Sequence, residues 1–566
     1  MKNKEYISYL NTLHNYNAQN TNSYGEKNVK NNFYKETMVD VLLGGYIVNS
    51  INTLEPHVII LTGHAGDGKT SIMYQVIEQL GQEFDVNKQV KDYQFDNGKK
   101  CRCIKDFSEF SDEDKLRELQ EVMNKPNMGE FAFMVANTGP LINTFGRMFE
   151  KKEKSEEAKI QLIEAMDSNL GQIQNIMGYK ICVINVAAVD NTYFAGEFID
   201  KITQEKLWDK CEECTKKEYC HIYNNYKLID KNSEQVKRFL NMHYTWMSEY
   251  GKRMTIRSMT GQLVYMITAG ENCEDVKEGK KYNKKFQMLF SNSFFGYYGV
   301  KKNLKANNVV AIRESQKFDY YNKRFRVDED LLIHRNYEGS FSKEVATMLK
   351  KEENMLKDIT GWNEAVRRTY MFLNTVSDEK KRKRDYEDIF SKQYQRYLQL
   401  TRNDDEIVNR ADRLLIIDAL SMIYIGVSNI NDSPLPLTLS RENGITQNVQ
   451  LLEGKISTDK IQLKQKKTSD CTFGGKKKEL VLKIDDHELK TKINLPLLNY
   501  FNELKNGIIS TNIDPQLSHG IESLKAELSE CVKKEENDEL EIIILKTKGP
   551  KSIKLELSKD GKIQSL

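Results

Sequence analysis

The sequence predicts an α/β core, then a run of helices, then a mixed α+β tail. Three observations carry that expectation. Short apolar runs at 57–61, 101–106, 131–137 and 179–186 alternate with stretches of helical spacing, as in a parallel sheet with crossover helices. No proline occurs between Leu141 and Ser433, and much of the chain after 190 repeats apolar residues at helical intervals. Beyond Pro434 the pattern shifts to brief alternating runs punctuated by turn residues. At 566 residues the chain is too long for one core. The expected division is an N-terminal helical arm (1–56), a core (57–270) with a Cys-rich insert (205–225) and the start of a lid, a helical middle region (271–433) and the tail (434–566).

Taken in order, residues 1–32 are polar and Asn-rich. Residues 33–53 read as a helix leading to Pro56 and interrupted at Gly44-Gly45. The stretch HVIILTGHAGDGKTSIMYQVIEQL (57–80) then changes period across its glycines, from a buried strand to a helix with Ile72, Met73, Val76, Ile77 and Leu80 on one side. Its loop, Gly63-His64-Ala65-Gly66-Asp67-Gly68-Lys69-Thr70, matches G-x-x-x-x-G-K-[ST] in full. Glycines let successive N–H groups turn inward around a phosphate, and the helix that follows adds its positive end. Lys69 has the reach for β- and γ-phosphates, Thr70 is placed to ligate Mg²⁺, and Ser71 completes the binding set. The fold class expected is therefore an α/β P-loop NTPase core, AAA-like, with ATP and Mg²⁺ as its ligands.

Such a core needs an acid near Mg²⁺ and a group that orients water. Asp106, closing the 101–106 strand, is the candidate for the first, and Glu109 for the second. The plainer reading of DFSEF is a strand end entering a polar turn, and Asp190 after the fourth strand is a rival for Asp106. Asn137 ends the third strand, where a polar side chain can face the γ-phosphate. Helical segments are expected at 112–123 and 140–176, and later at 233–248, 255–269, 342–357, 361–376 and 385–400. Arg257 falls in the first turn of the 255–269 helix, a poor position for a cation unless it serves a ligand. Arg253 is the alternative, reaching a neighbouring subunit, and a plain surface role is open for both.

Cys211-x2-Cys214-x5-Cys220-His221 is the metal-like cluster, suited to tetrahedral Zn²⁺ in a reducing compartment. The adjacency of Cys220 and His221 is awkward for a single site, so Cys182, Cys273 or water stand as other fourth ligands, and reduced cysteines packed in a small insert are the bland reading. Lys+Arg (85) nearly balance Asp+Glu (82), a net charge of +3, so contact with nucleic acid would need a local patch. Lys380-Lys381-Arg382-Lys383-Arg384, with Arg367 and Arg368 one helix earlier and Tyr386 close behind, is the strongest basic run. The alternative is a solvated helix junction. No signal peptide and no apolar run of membrane-spanning length occur, so a cytoplasmic protein is expected. In the tail, strands are expected within 435–485 and at 539–558, with helices at 497–505 and 514–531 and a hairpin turn at Lys548-Gly549-Pro550.

The ordered set HVIILTGHAGDGKTS, IKDFSEF, FAFMVANTGPLINTF, CEECTKKEYCHIYNNYKL and RMTIRSMTGQLVYMITAG resembles the DptF-type ATPases of bacterial phosphorothioation-dependent DNA restriction systems, and related anti-phage P-loop ATPases with a similar cysteine insert. It spans roughly residues 33–300, with a weaker echo in KINLPLLNYFNELKNG (492–507). His221 departs from the proline expected after the third cysteine. The resemblance implies an ATP-hydrolysing subunit that works with partner proteins to restrict invading DNA, possible as a homo-oligomer. The alternative is a nucleotide-state switch or scaffold ATPase, AAA or STAND-like, that regulates a separate effector. No second motor domain and no nuclease motif is evident, which disfavours a self-sufficient helicase or nuclease.

Overall fold

The computed structural model describes residues 3–14, 16, 31–168, 171–279, 284–354, 359–428, 433–439, 448–468, 478–508, 513–532, 539–546, 549–557 and 563–565. They fall into two compact units that divide at residues 389/390. Helices Lys392–Arg402 and Arg410–Ile425, expected to belong to a middle region ending at 433, are part of the second unit. The reason is local bonding. The Gln465 amide donates to Leu400 O and Glu406 O, and the Lys478 ammonium, buried, caps the carbonyls of Asn403 and Asp404.

The first unit is built on a mixed sheet of β1 (Val58–Thr62), β2 (Val90–Gln94), β3 (Lys100–Ile104), β4 (Phe131–Val135), β5 (Ile173–Ile176) and β6 (Tyr179–Asn185), in the order β2-β3-β4-β1-β6-β5. The four central strands run parallel, and β2 and β5 pair antiparallel at the edges. Central strands apolar on both faces demand cover on both sides, and here they have it. Ile59, Leu61, Phe131, Phe133 and Ile184 pack under helices Leu42–Thr53 and Lys69–Gln79. Val58, Ile60, Ala132, Met134 and Val183 pack under helices Asp112–Asn124, Thr138–Arg147 and Lys152–Ser168. A helical body follows, from Phe194–Ile202 to Glu379–Ile389. Arg368, fully buried there, stacks on the Tyr297 ring at 3.8 Å and donates to Asn292 Oδ1 and Gly299 O.

Several element expectations change. The break in 33–53 lies at residues 38–41 rather than at the glycines, because the Gln75 side chain accepts from Val41 N and donates to Val39 O, holding that stretch extended. Gly44 instead sits inside helix Leu42–Thr53, where a Cβ would come within 3.2 Å of Gln75 Oε1. The segment 140–176 is two helices and then β5, turned onto β6 through Met177 and Gly178, both left-handed. The segment 385–400 breaks at Ser391, whose hydroxyl caps helix Lys392–Arg402. Strand β2 was not anticipated.

The second unit holds a sheet of Leu435–Thr438, Val449–Ile456, Glu539–Lys546, Gly549–Leu557 and Ile563–Ser565, and a three-stranded sheet of Ile461–Lys467, Lys478–Ile484 and His487–Lys492. Helices Leu495–Lys505 and Pro515–Glu530 occur as expected, and Lys548 of the expected hairpin turn lies outside the described residues. Ile60, fully buried at the centre of β1, is the test of this core. Ile60→Ala should cost about 2–5 kcal/mol of stability in urea denaturation. The same change at Ile160, 54% exposed, should cost little. Equal losses at the two sites would contradict the assigned core.

Candidate functional site

The glycine loop leaves the sheet where β1 is flanked by β4 and β6. Gly63, Gly66 and Gly68 have φ of 139°, 91° and 81°. Space is as limiting as conformation. A Cβ on Gly66 would lie 3.1 Å from Arg257 Cβ, and one on Gly68 would lie 3.0 Å from Ile256 Cδ1. The start of helix Ile256–Thr268 is thus docked on the loop, and Arg257 N donates to Gly66 O at 3.1 Å.

Asp67 turns away from the open side of the loop. Its buried carboxylate accepts from His64 N at 2.9 Å and pairs with Arg253 at 2.8 Å. Arg253 Nη2 also donates to Val186 O at 2.9 Å, past the end of β6. Arg253 therefore braces its own chain, with Nη1 on Asp67 and Nη2 on Val186 O.

One cavity of about 460 Å³ gathers most of the expected site. Ala65, Gly66, Gly68, Lys69, Thr70 and Ser71 line it from the loop, Asp106 and Glu109 from the turn after β3, and Asn137 and Arg257 from the ends of β4 and the neighbouring helix. Gly63, His64 and Asp67 are not among its lining residues. The Lys69 ammonium donates to His64 O at 2.8 Å and Gly63 O at 3.1 Å, with Asn137 Oδ1 at 3.5 Å. Burial lowers the Lys69 pKa, the Asp67 and Asp106 carboxylates act against that, and Arg257 adds to it. Ser108 was missed. Its hydroxyl accepts from Asn137 N at 2.8 Å and so ties the Asp106 turn to the end of β4. Asp190 lies outside the cavity lining and caps its own turn, accepting from Thr192 N and Oγ1.

The cavity also has a set of apolar lining residues that was not anticipated. Tyr9, Leu13, Tyr34, Met38, Val39 and Val41 line it from the N-terminal segments, and Phe194 and Phe198 from the helix after β6. The expected arm is a wall. Tyr34 donates to Ser71 Oγ at 3.1 Å, Tyr9 and Thr37 share a hydrogen bond of 2.8 Å, and Gln75 grips residues 39–41. A signal for it was present in Gln75, a polar residue inside the apolar pattern of its helix, because a buried amide must find partners.

Elsewhere, Cys211 and Cys214 adjoin through Cys214 N→Cys211 O at 3.1 Å, and Cys220 starts helix His221–Lys231, its sulfur accepting from Tyr223 N. His221 is buried and donates from Nε2 to Thr268 O at 3.3 Å, at the end of helix Ile256–Thr268. Cys182 is buried in β6 among sheet residues. As they stand, no three His, Cys, Asp or Glu side chains among the described residues form a group that could hold a metal ion. The basic run occupies helix Glu379–Ile389, with Lys380, Lys383 and Arg384 exposed and Lys381 and Arg382 half-buried. Arg367 and Arg368 do not extend it: Arg367 is paired with Asp328 at 2.7 Å and Arg368 is in the core, as Tyr386 is. Among the described residues no helix is long and apolar enough to cross a membrane.

Comparison of the chain with known proteins gives no match to a family model, to a curated protein or to a solved structure.

The Asp67–Arg253 pair is buried on the Asp67 side, so removing one partner should strand a charge. Arg253→Leu should destabilise the first unit by about 3–5 kcal/mol, and adding Asp67→Asn should recover part of the loss. Additive losses in that double-mutant cycle would contradict the brace.

Proposed function

We propose that the chain is an ATP-binding and hydrolysing P-loop protein acting as a subunit of an anti-phage DNA-restriction assembly. The observation that carries the ATPase part is convergence. Lys69, Thr70, Asp106, Glu109, Asn137 and Arg257, expected from four separate stretches of sequence, line one cavity beside a loop whose glycines cannot carry side chains. The restriction part rests on the sequence resemblance alone.

The donor set suits a nucleoside triphosphate. Loop N–H groups and the Lys69 ammonium would hold the phosphates, and the apolar lining residues Tyr34, Met38 and Phe194 would take the base. The Thr70 hydroxyl and Asp106 carboxylate are the residues that would hold Mg²⁺. That ion, when bound, neutralises charge on the transferring phosphoryl group. Glu109 orients water and accepts its proton, while Arg257 and Asn137 offer donors to the phosphoryl oxygens. Such catalysis is positioning and charge stabilisation by preorganised polar groups.

A second reading is a nucleotide-state switch that turns over slowly and regulates a separate effector. Its specific support is the Arg257 N→Gly66 O bond, which couples the loop to the helical body. Steady turnover stimulated by DNA favours the first reading, and binding with little turnover favours the second.

Lys69→Ala should abolish hydrolysis without lowering the melting temperature. Asp106→Ala should keep nucleotide binding and lose Mg²⁺-dependent hydrolysis, and Asp190→Ala should keep both. Hydrolysis at the wild-type rate in Lys69→Ala would sink the assignment.

Any DNA contact made by the chain itself falls to the exposed part of the basic run. Replacing Lys380, Lys383 and Arg384 with Gln should flatten the salt dependence of DNA binding by about 0.9 in log–log slope for each phosphate no longer neutralised. ATP turnover without DNA should persist. An unchanged slope would assign DNA binding to a partner subunit.

A further inference from the structure

The five-stranded sheet of the second unit turns its aliphatic side outward. Register decides which side chains share a face, because alternate residues of a strand point to opposite sides. Ile542 of strand Glu539–Lys546 stands between Leu451 on one neighbour and Ile553 on the other. To one side of that row Val449 stands next to Ile544, and to the other Leu540 stands next to Leu555. Ile563 on the last strand has the same facing, since it pairs with Leu557. Val449, Leu451, Leu540 and Ile563 are 52%, 38%, 50% and 63% exposed, and Ile542, Ile544, Ile553 and Leu555 are half-buried.

The opposite face is the reverse. Gln450 and Ile543, side by side, are buried there, and Ser552, Lys554 and Glu556 further out are exposed. An antiparallel sheet with one solvated face puts its aliphatic residues on the covered side. Here the aliphatic side is the open one, and a contiguous exposed apolar patch marks a contact surface.

We propose that this face is where two copies of the chain pack, sheet on sheet, about a two-fold axis. Charge is the first reason for a second copy. The rows Leu451-Ile542-Ile553 and Leu540-Leu555 carry none, so the face meets its own image without opposing like charges, and Lys551 stands at a corner beside Ile544. Area is the second reason. Eight aliphatic side chains so exposed offer on the order of 500 Å² per copy, and pairing two faces buries about 1,000 Å², enough for a reversible dimer and too little for an obligate one. The edges of the sheet are the third. Strand Leu435–Thr438 holds Pro436, which has no N–H to donate, and strand Ile563–Ser565 has three residues, so neither edge invites another strand and the face is left as the way to associate. The contact lies in the second unit and is independent of what the cavity binds.

The test is sedimentation equilibrium on the full-length protein without nucleotide. The expected result is a monomer–dimer equilibrium with a Kd in the micromolar range, not weakened by added salt because the contact is apolar. Leu540→Lys combined with Val449→Lys should raise Kd by more than about tenfold. Ile407→Lys, at another exposed aliphatic site of the same unit, should leave it unchanged. The melting temperature reports whether the double variant is folded, and Leu540→Asn alone should shift Kd in the same direction without adding charge. Wild-type protein that stays monomeric at about 100 µM would overturn the proposal and give the face to a different protein. An unchanged Kd in both the folded double variant and Leu540→Asn, or a dimer that salt dissociates, would place the contact elsewhere and overturn it as well.

Discussion

The buried carboxylate of Asp67 is the fixed point around which the candidate site is arranged. A glycine loop with three positive-φ positions has a large conformational entropy to lose, and without side chains it has little to pack. Asp67 supplies the restraint from inside, accepting from His64 N and pairing with Arg253. Through Arg253 the restraint reaches the residues just past β6 and the segment that opens helix Ile256–Thr268. Arg257 follows from that placement, because the helix start is pressed onto Gly66 at a spacing that only glycine allows. The orientation of an arginine toward the cavity is thus a consequence of an ion pair on the loop's opposite side.

A second layer of restraint comes from the ends of the strands. β4 lies between β1 and β3, so the turn carrying Asp106 and Glu109 and the start of the Asn137 helix open on the same side as the loop. The Ser108 hydroxyl ties the two together. Lys69 reaches across from the loop to Asn137. The N-terminal segments add tyrosines and aliphatic side chains to the cavity lining. Converging polar side chains and apolar, aromatic ones thus share the lining of one cavity.

Legibility in the sequence followed the strength of local pattern. Strands β1, β4 and β6 and the loop were readable because buried parallel strands are near-continuous apolar runs and the loop's glycines have fixed spacing. Edge strands β2 and β5 were not, since VKDYQ and IQNI bear polar residues and their pairing is set by turns at Gly98 and Met177-Gly178. The role of the N-terminal segments left only the indirect trace of Gln75, a polar residue inside an apolar pattern, for a different reason. Tyr9, Tyr34 and Val39 reach the cavity through contacts with residues far away in the chain, such as Ser71 and Gln75, and long-range contacts leave no periodic trace. Arg253 and Arg367 misled in the same way, as each looked like a free cation until its acidic partner, Asp67 or Asp328, was brought alongside by the fold.

The central claim is that one cavity, built from the glycine loop, two strand ends, the 256–268 helix and the N-terminal wall, binds Mg²⁺·ATP. Hydrogen exchange measured with and without Mg²⁺·ATP tests it most directly, because every one of those segments reports separately. The account predicts slowed exchange in peptides covering 31–41, 63–71, 106–109, 137–141 and 256–260, with little change in the second unit. Protection confined to other segments, or none at saturating nucleotide, would contradict it.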